Sequence, residues 1–142
     1  MLNTEKIKKY LNLSHSRNNI VICKNENPNI EFLDLGKEIS LNISSFLSET
    51  KVGLKSILMV EELLHSSIIE DTILGKCLAI KNLGILFESE LKIDFVQMLN
   101  KYSSSNTLFV KWDGEIEDGI LYFLTKEKGQ KIDIKNLSHI VI

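Results

Sequence analysis

Apolar residues along this chain fall into two kinds of pattern, short β-branched runs and longer stretches with three- and four-residue spacing. Ile7, Tyr10 and Leu11 share one face of a first helix, which Thr4 is placed to cap. Asn18 and Asn19 lead into Ile20–Cys23, an unalternating apolar run that reads as a buried strand. Asn25 to Asn29 contains the sole proline, Pro28, and reads as a turn. Ile30 to Leu35 is a second strand candidate, closing at Gly36. From Lys37 onward Ile39, Ile43, Phe46 and Leu47 keep helical spacing, with Gly53 after them, and a third helix holds Leu54, Ile57, Leu58, Leu64 and Ile68 with Glu61 and Glu62 outward. Cys77 to Ile80 is a third strand, apolar throughout, as expected when both faces are covered.

The clearest amphipathic signal follows. Leu91, Phe95, Met98, Leu99 and Tyr102 occupy one helix face. Thr107 to Trp112 reads as a fourth strand, Asp113 to Asp118 as a turn, and Gly119 to Thr125 as a strand paired back on the fourth. Ile140 to Ile142 adds a last strand. Strands alternating with helices predict a mostly parallel sheet with helices on both faces. The expected fold is therefore a single three-layer α/β domain over residues 1–142, with an antiparallel edge hairpin.

Composition changes this picture little. The 142 residues are 44% hydrophobic and 25% charged, which is ordinary for a globular chain. Seventeen Lys+Arg against nineteen Asp+Glu leave a net charge of −2, whereas nucleic-acid binders normally carry a basic excess. The charge is uneven: residues 1–30 hold five basic and two acidic groups, and residues 31–75 hold three basic and eight acidic ones. Met1 to Lys9 is polar and is not followed by an apolar segment, so no secretory signal is expected. Stretches such as Ile80 to Phe87 are interrupted by Lys81 and Asn82 and fall short of the ~20 residues a membrane span needs. The expected compartment is the cytoplasm, with no membrane contact.

Candidate chemistry is sparse. Cys23 and Cys77 each sit in an apolar run without CxxC or Cys/His spacing, and read as buried free thiols. His15, His65 and His139 share no metal-ligand spacing, and no serine stands in a G-x-S-x-G elbow. Glu88 and Glu90 flank Ser89 ahead of a helix, where carboxylates suit the positive end of the dipole. A phosphate-binding loop would belong directly after the first strand, yet Lys24 to Asn29 has neither a glycine nor a Gly-Lys-Ser/Thr, and little room for a following helix. No G-x-G-x-x-G occurs either. No cofactor is expected. Lys111, Trp112 and Asp113 close a strand at the C-terminal edge of the sheet, where α/β ligand sites lie. Trp112 reads as a packing residue or, if exposed, as a contact surface.

One stretch carries a resemblance. Between Ile80 and Tyr122, the residues Asn82, Leu86, Phe87, Glu90, Leu91, Ser103, Thr107, Trp112, Gly114, Gly119, Leu121 and Tyr122 match a pattern: a Leu-Asp-Asn strand end, Leu-Phe-x-x-Glu-Leu, a Ser-Arg-Asn turn, then Trp-Pro-Gly and Gly-x-Leu-x-Tyr. That pattern resembles the second half of the small P-loop protein of BREX (bacteriophage exclusion) defence systems. Phe32 to Ser40 also resembles the second strand of that family and the helix after it, so the likeness covers about two-thirds of the chain. The departures fall on chemistry: Lys81 stands at the acidic Walker B position, Ser104 at the arginine of the turn, and the phosphate loop is missing. An NTPase without these has lost phosphate cradle, metal ligand and cationic stabiliser together.

The resemblance implies a P-loop-NTPase-like fold lacking its P-loop, in a non-catalytic accessory subunit of a phage-defence complex. Its partners would be other defence proteins or itself as a homo-oligomer. The alternatives are an atypical nucleotide-binding enzyme using Lys24 or Lys81, and a monomeric antagonist or immunity-type binding protein. Lys111, Trp112, Asp113 and Ile116 are the expected association surface, because an apolar Ile116 among acidic neighbours is unusual in a loop with nothing to contact. Lys6, Lys8, Lys9 and Arg17 are the expected DNA contacts, and only within an assembly.

Overall fold

In the computed structural model of the chain, which describes residues 2–12, 18–25, 30–43, 52–72, 74–88, 91, 93–123 and 130–142, the apolar runs assemble into a six-stranded sheet. Five strands are parallel: β1 (Ile20–Cys23), β2 (Leu33–Asp34), β4 (Gly75–Lys81), β5 (Thr107–Lys111) and β9 (His139–Val141), in the spatial order β2-β4-β5-β1-β9. One row crosses all five, through Leu33, Ile80, Val110, Ile22 and Val141. The sixth, β3 (Ile69–Asp71), pairs antiparallel with the start of β4. Because β5 takes one edge of β4, β2 and β3 share the other.

Side chains alternate across each strand, which splits the core in two. Ile20, Ile22, Leu78, Ile80, Leu108 and Val110 face one side, where they meet Leu35 and Ile39 of α2 (Leu35–Ile43), Val60 and Leu64 of α3 (Val52–Ser66), and Phe95, Met98, Leu99 and Tyr102 of α4 (Phe95–Ser103). Val21, Cys23, Cys77, Ala79 and Phe109 face the other, against Ile7 of α1 (Leu2–Leu11) and Phe32. The expected layers are present but unequal: among the described residues, three α-helices cover one face and one covers the other.

The hairpin is a correction. Gly119 onward does not pair with Thr107–Trp112; β7 (Ile120–Tyr122) pairs with β6 (Glu115–Glu117), and β8 (Lys131–Asp133) completes a separate antiparallel sheet. The cause is local. Asp118 (φ 51°) and Gly119 (φ 75°) are both left-handed, the geometry of a two-residue hairpin loop, so the partner must be the segment immediately before it. This small sheet sends Leu121 and Ile132 into the larger core, joined there by Ile134 just beyond β8. The antiparallel strand on the main sheet is β3.

Element ends moved for equally local reasons. α2 begins at Leu35 rather than Lys37, since the Asp34 carboxylate accepts from the Lys37 N–H at 2.9 Å. Gly53 lies inside α3, not after α2; a glycine costs a helix about 1 kcal/mol but does not end it. Thr4 lies within α1 instead of capping it. α4 starts at Phe95, where Asp94 accepts from the Gln97 N–H at 3.1 Å, and Leu91 precedes it beyond a 3-10 turn at Gly84–Phe87. His15, Arg17, Pro28, Phe46, Leu47, Glu90 and Thr125 lie outside the described residues.

Candidate functional site

The C-terminal ends of the parallel strands bring together Cys23 and Lys24, Asp34, Lys81 and Asn82, and Lys111 to Asp113, the position at which open α/β sheets bind ligands. Trp112 does not face solvent there. It is 4% exposed, and its ring packs edge-on to Phe87 (centroids 6.0 Å apart) and beside Phe95 (6.1 Å). Its Nε1–H is directed at the carbonyls of Glu115 and Tyr122, each at 3.2 Å. The indole therefore fastens the hairpin to the main sheet, and the contact surface expected of Trp112 is not available to its side chain. Gly114 is required beside it, because a Cβ would overlap the Tyr122 carbonyl oxygen.

The other three residues of that expected surface divide between an ion pair and the edge of the core. Lys111 Nζ pairs with Asp113 Oδ1 at 2.7 Å, with Asp113 largely exposed. Ile116 is half-buried against the main core, so its apolar side chain among acidic neighbours is explained by packing. Lys111, Trp112, Asp113 and Gly114, with Leu83, Gly84 and Phe123, line a cavity of about 30 Å³. That is the space of about one water, where small-molecule sites run to roughly 300–1,000 Å³.

A polar clamp occupies the β2–β4 corner of the same edge. Asn82 (φ 56°) donates through Nδ2 to Asp34 Oδ1 at 2.9 Å, and its amide fills the space that a Cβ on Gly36 would need. The Lys37 N–H and then the Asn82 amide hold the Asp34 carboxyl below the usual carboxylate range, with the charges of Lys81 and Lys37 adding to the effect. Sequence reasoning reached Asn82 only through the family pattern and missed Asp34. The available signal was Asp34 three residues ahead of Lys37, at the spacing of a helix cap.

At the opposite end of the sheet a buried network joins three elements. Asn18, 1% exposed, donates through Nδ2 to Asn100 Oδ1 (2.8 Å) and Ser103 Oγ (3.0 Å). The Tyr10 hydroxyl accepts from the Ile20 N–H at 3.1 Å and shares its proton between the Asn18 and Ser138 carbonyls, both at 2.8 Å. These contacts are structural, since they satisfy one another.

Of the expected DNA contacts, Lys6 donates through Nζ to the Val141 carbonyl at 2.7 Å, and Lys8 and Lys9 are exposed on α1. Burial pushes the Cys23 and Cys77 thiols up to about 11, with the Asp71 charge contributing at Cys77. Both are free cysteines. His65 stacks edge-on to Tyr102, and His139 Nδ1 lies 2.8 Å from the Leu137 carbonyl. Among the described residues no helix is long and apolar enough to cross a membrane. No family model matches the chain, and no curated protein or solved structure matches it.

Proposed function

We propose that this chain is a non-catalytic, P-loop-like scaffold subunit of a bacterial anti-phage defence system, working by association with other defence proteins or with itself. The observation that carries the reading is the strand order. β5, parallel to its neighbours, stands between β1 and β4, the arrangement for which the additional-strand class of P-loop folds is named. The stretch resembling the BREX family runs through β4, α4, β5 and the β6–β7 hairpin, and its matched residues Leu86, Leu91, Trp112 and Leu121 are core residues, each at most 4% exposed. The shared pattern is one of packing.

The absence of catalysis follows from side-chain chemistry. The nine residues between β1 and β2 contain no glycine, so they lack the residue that lets backbone N–H groups converge on a phosphate. Lys81 ends β4 where the family's metal-holding acid stands, beside Asp34, which is already engaged by Lys37 and Asn82. Titration calorimetry with ATP or GTP and Mg²⁺ tests this half: binding is expected to be no tighter than about 1 mM, about 4 kcal/mol. A micromolar dissociation constant overturns it. The defence half is read by plating phage on cells that carry the system with and without this chain. Protection falls without it, and unchanged protection overturns the accessory role.

A further inference from the structure

Charge is distributed unevenly across the sheet. α1 carries Lys6, Lys8 and Lys9 against Glu5, and it lies over the β1–β9 end, where Lys6 reaches Val141 and Tyr10 reaches Ser138. At the other end, residues 31–38 and 69–71 carry Glu31, Asp34, Glu38, Glu70 and Asp71 against Lys37, with Lys76 and Lys81 of β4 opposite Glu70 and Asp34 in register, so acidic groups still outnumber basic ones there. Four strand spacings, about 19 Å, separate the two ends. That is roughly two Debye lengths at physiological salt, so the ends of one molecule do little to neutralise each other.

Both ends are also sheet edges. Ile142 donates its N–H to the Ile22 carbonyl (2.9 Å) and its own carbonyl accepts from Lys24 (3.3 Å). Successive residues of a parallel strand turn their polar groups to opposite sides, so the Val141 carbonyl points away from β1, and Lys6 covers it there. At the far edge a cleft of about 470 Å³ opens between β2 and β3, lined by Glu31, Leu33, Asp34, Lys37, Glu38 and Ile69 among others. Ile69 is 49% exposed and lines this cleft with three acidic groups and one lysine.

We propose that the lysine-bearing α1–β9 edge of one molecule docks on the acidic β2–β3 edge of a second copy, with Lys6 and Lys9 set against Glu31 and Glu70. All four side chains belong to exposed residues, and Lys6 and Lys9, three residues apart, share one side of α1. The occupant is a second copy because one chain carries both halves of the complementarity. On docking, Lys6 exchanges a carbonyl for a carboxylate. The two surfaces differ, so association is head-to-tail and builds a ring where the rotation closes or a filament where it does not. This rests on the proposed function and names the surface through which such a subunit would assemble.

Charge reversal tests it. Light scattering coupled to size exclusion follows the mass of the wild-type chain, Lys6→Glu/Lys9→Glu, and Glu31→Lys/Glu70→Lys, with circular dichroism to confirm that each is folded. At about 50 mM salt the wild type is expected above its 16.2 kDa monomer mass, and at about 500 mM, where screening shortens to a few ångström, it returns to it. Each double reversal is monomeric alone, and mixing the two restores association, because the reversed edges are complementary to each other. A wild type that stays monomeric at about 200 μM in low salt overturns the proposal, as does association that survives either reversal. Neither result touches the scaffold reading, which admits a different partner and fails instead on micromolar nucleotide binding or on unchanged phage protection.

Discussion

Trp112 shows how a single residue type can be read two ways until its surroundings are known. An indole at the end of a parallel strand suits a contact surface, yet here Phe87 and Phe95 enclose it and two carbonyls take its one N–H. Trp112→Ala is expected to cost roughly 3–5 kcal/mol through the lost ring and the cavity left behind. Trp112→Phe, which keeps an aromatic ring but loses the donor to Glu115 and Tyr122, is expected to cost less, about 1–3 kcal/mol. Thermal melting separates the two, and an unchanged midpoint in Trp112→Ala would place the ring outside the core. The cysteines were simpler to read. Each stood in an apolar run, and each is buried on the face that α1 covers, because unalternating strands place odd and even residues alike in apolar layers.

At the level of elements, Asp34 couples β2, α2 and the end of β4 through one carboxylate. Its pKa is lowered in the folded chain, so it binds its proton less readily folded than unfolded. Its contribution to stability is therefore complete above the ordinary value of 3.8 and is lost as pH falls below that toward the folded value. Since Asp34 is half-exposed at the end of β2, solvent screening keeps the effect small. Asn82→Ala removes one of the two hydrogen bonds and is expected to flatten the acid limb of a melting-temperature profile below about pH 4. An acid limb identical to wild type would show that the clamp does not stabilise the ionised carboxylate. Helices and strands with several buried positions were legible from spacing alone. β3, β6 and β8 were not, because each is short, carries charged residues and takes its strand geometry from its neighbour.

Across the whole molecule, the net charge of −2 conceals a basic end and an acidic end. DNA binding scales with the phosphates that Lys and Arg neutralise, and Lys6, Lys8 and Lys9 do not lie along a single side of α1. The isolated chain is expected to give no gel shift with duplex DNA at about 150 mM salt, a condition under which weak electrostatic binding is screened. A shift at that salt would reassign α1 from a protein contact to a nucleic-acid one. The polar distribution was visible as counts along the chain, but its meaning was not. Residues 2–11 and 31–38 could have lain side by side, and only the order β2-β4-β5-β1-β9, with α1 seated at β9, sets them at opposite edges.

Local interactions explain what the sequence determined by itself. The apolar runs at Ile20–Cys23, Cys77–Ile80 and Thr107–Lys111 dictate buried strands, the spacing from Phe95 to Tyr102 dictates a helix, and Asp118–Gly119 dictates a tight hairpin, because each depends on neighbours within a few residues. The tertiary structure decided which strands touch, which face each helix covers, and that β8 joins the hairpin in a separate sheet. Those outcomes depend on contacts between residues as distant as Ile22 and Val141, or Asp34 and Asn82. Such pairings satisfy hydrogen bonds and bury area only once the chain has closed on itself, so no short window of sequence contains them.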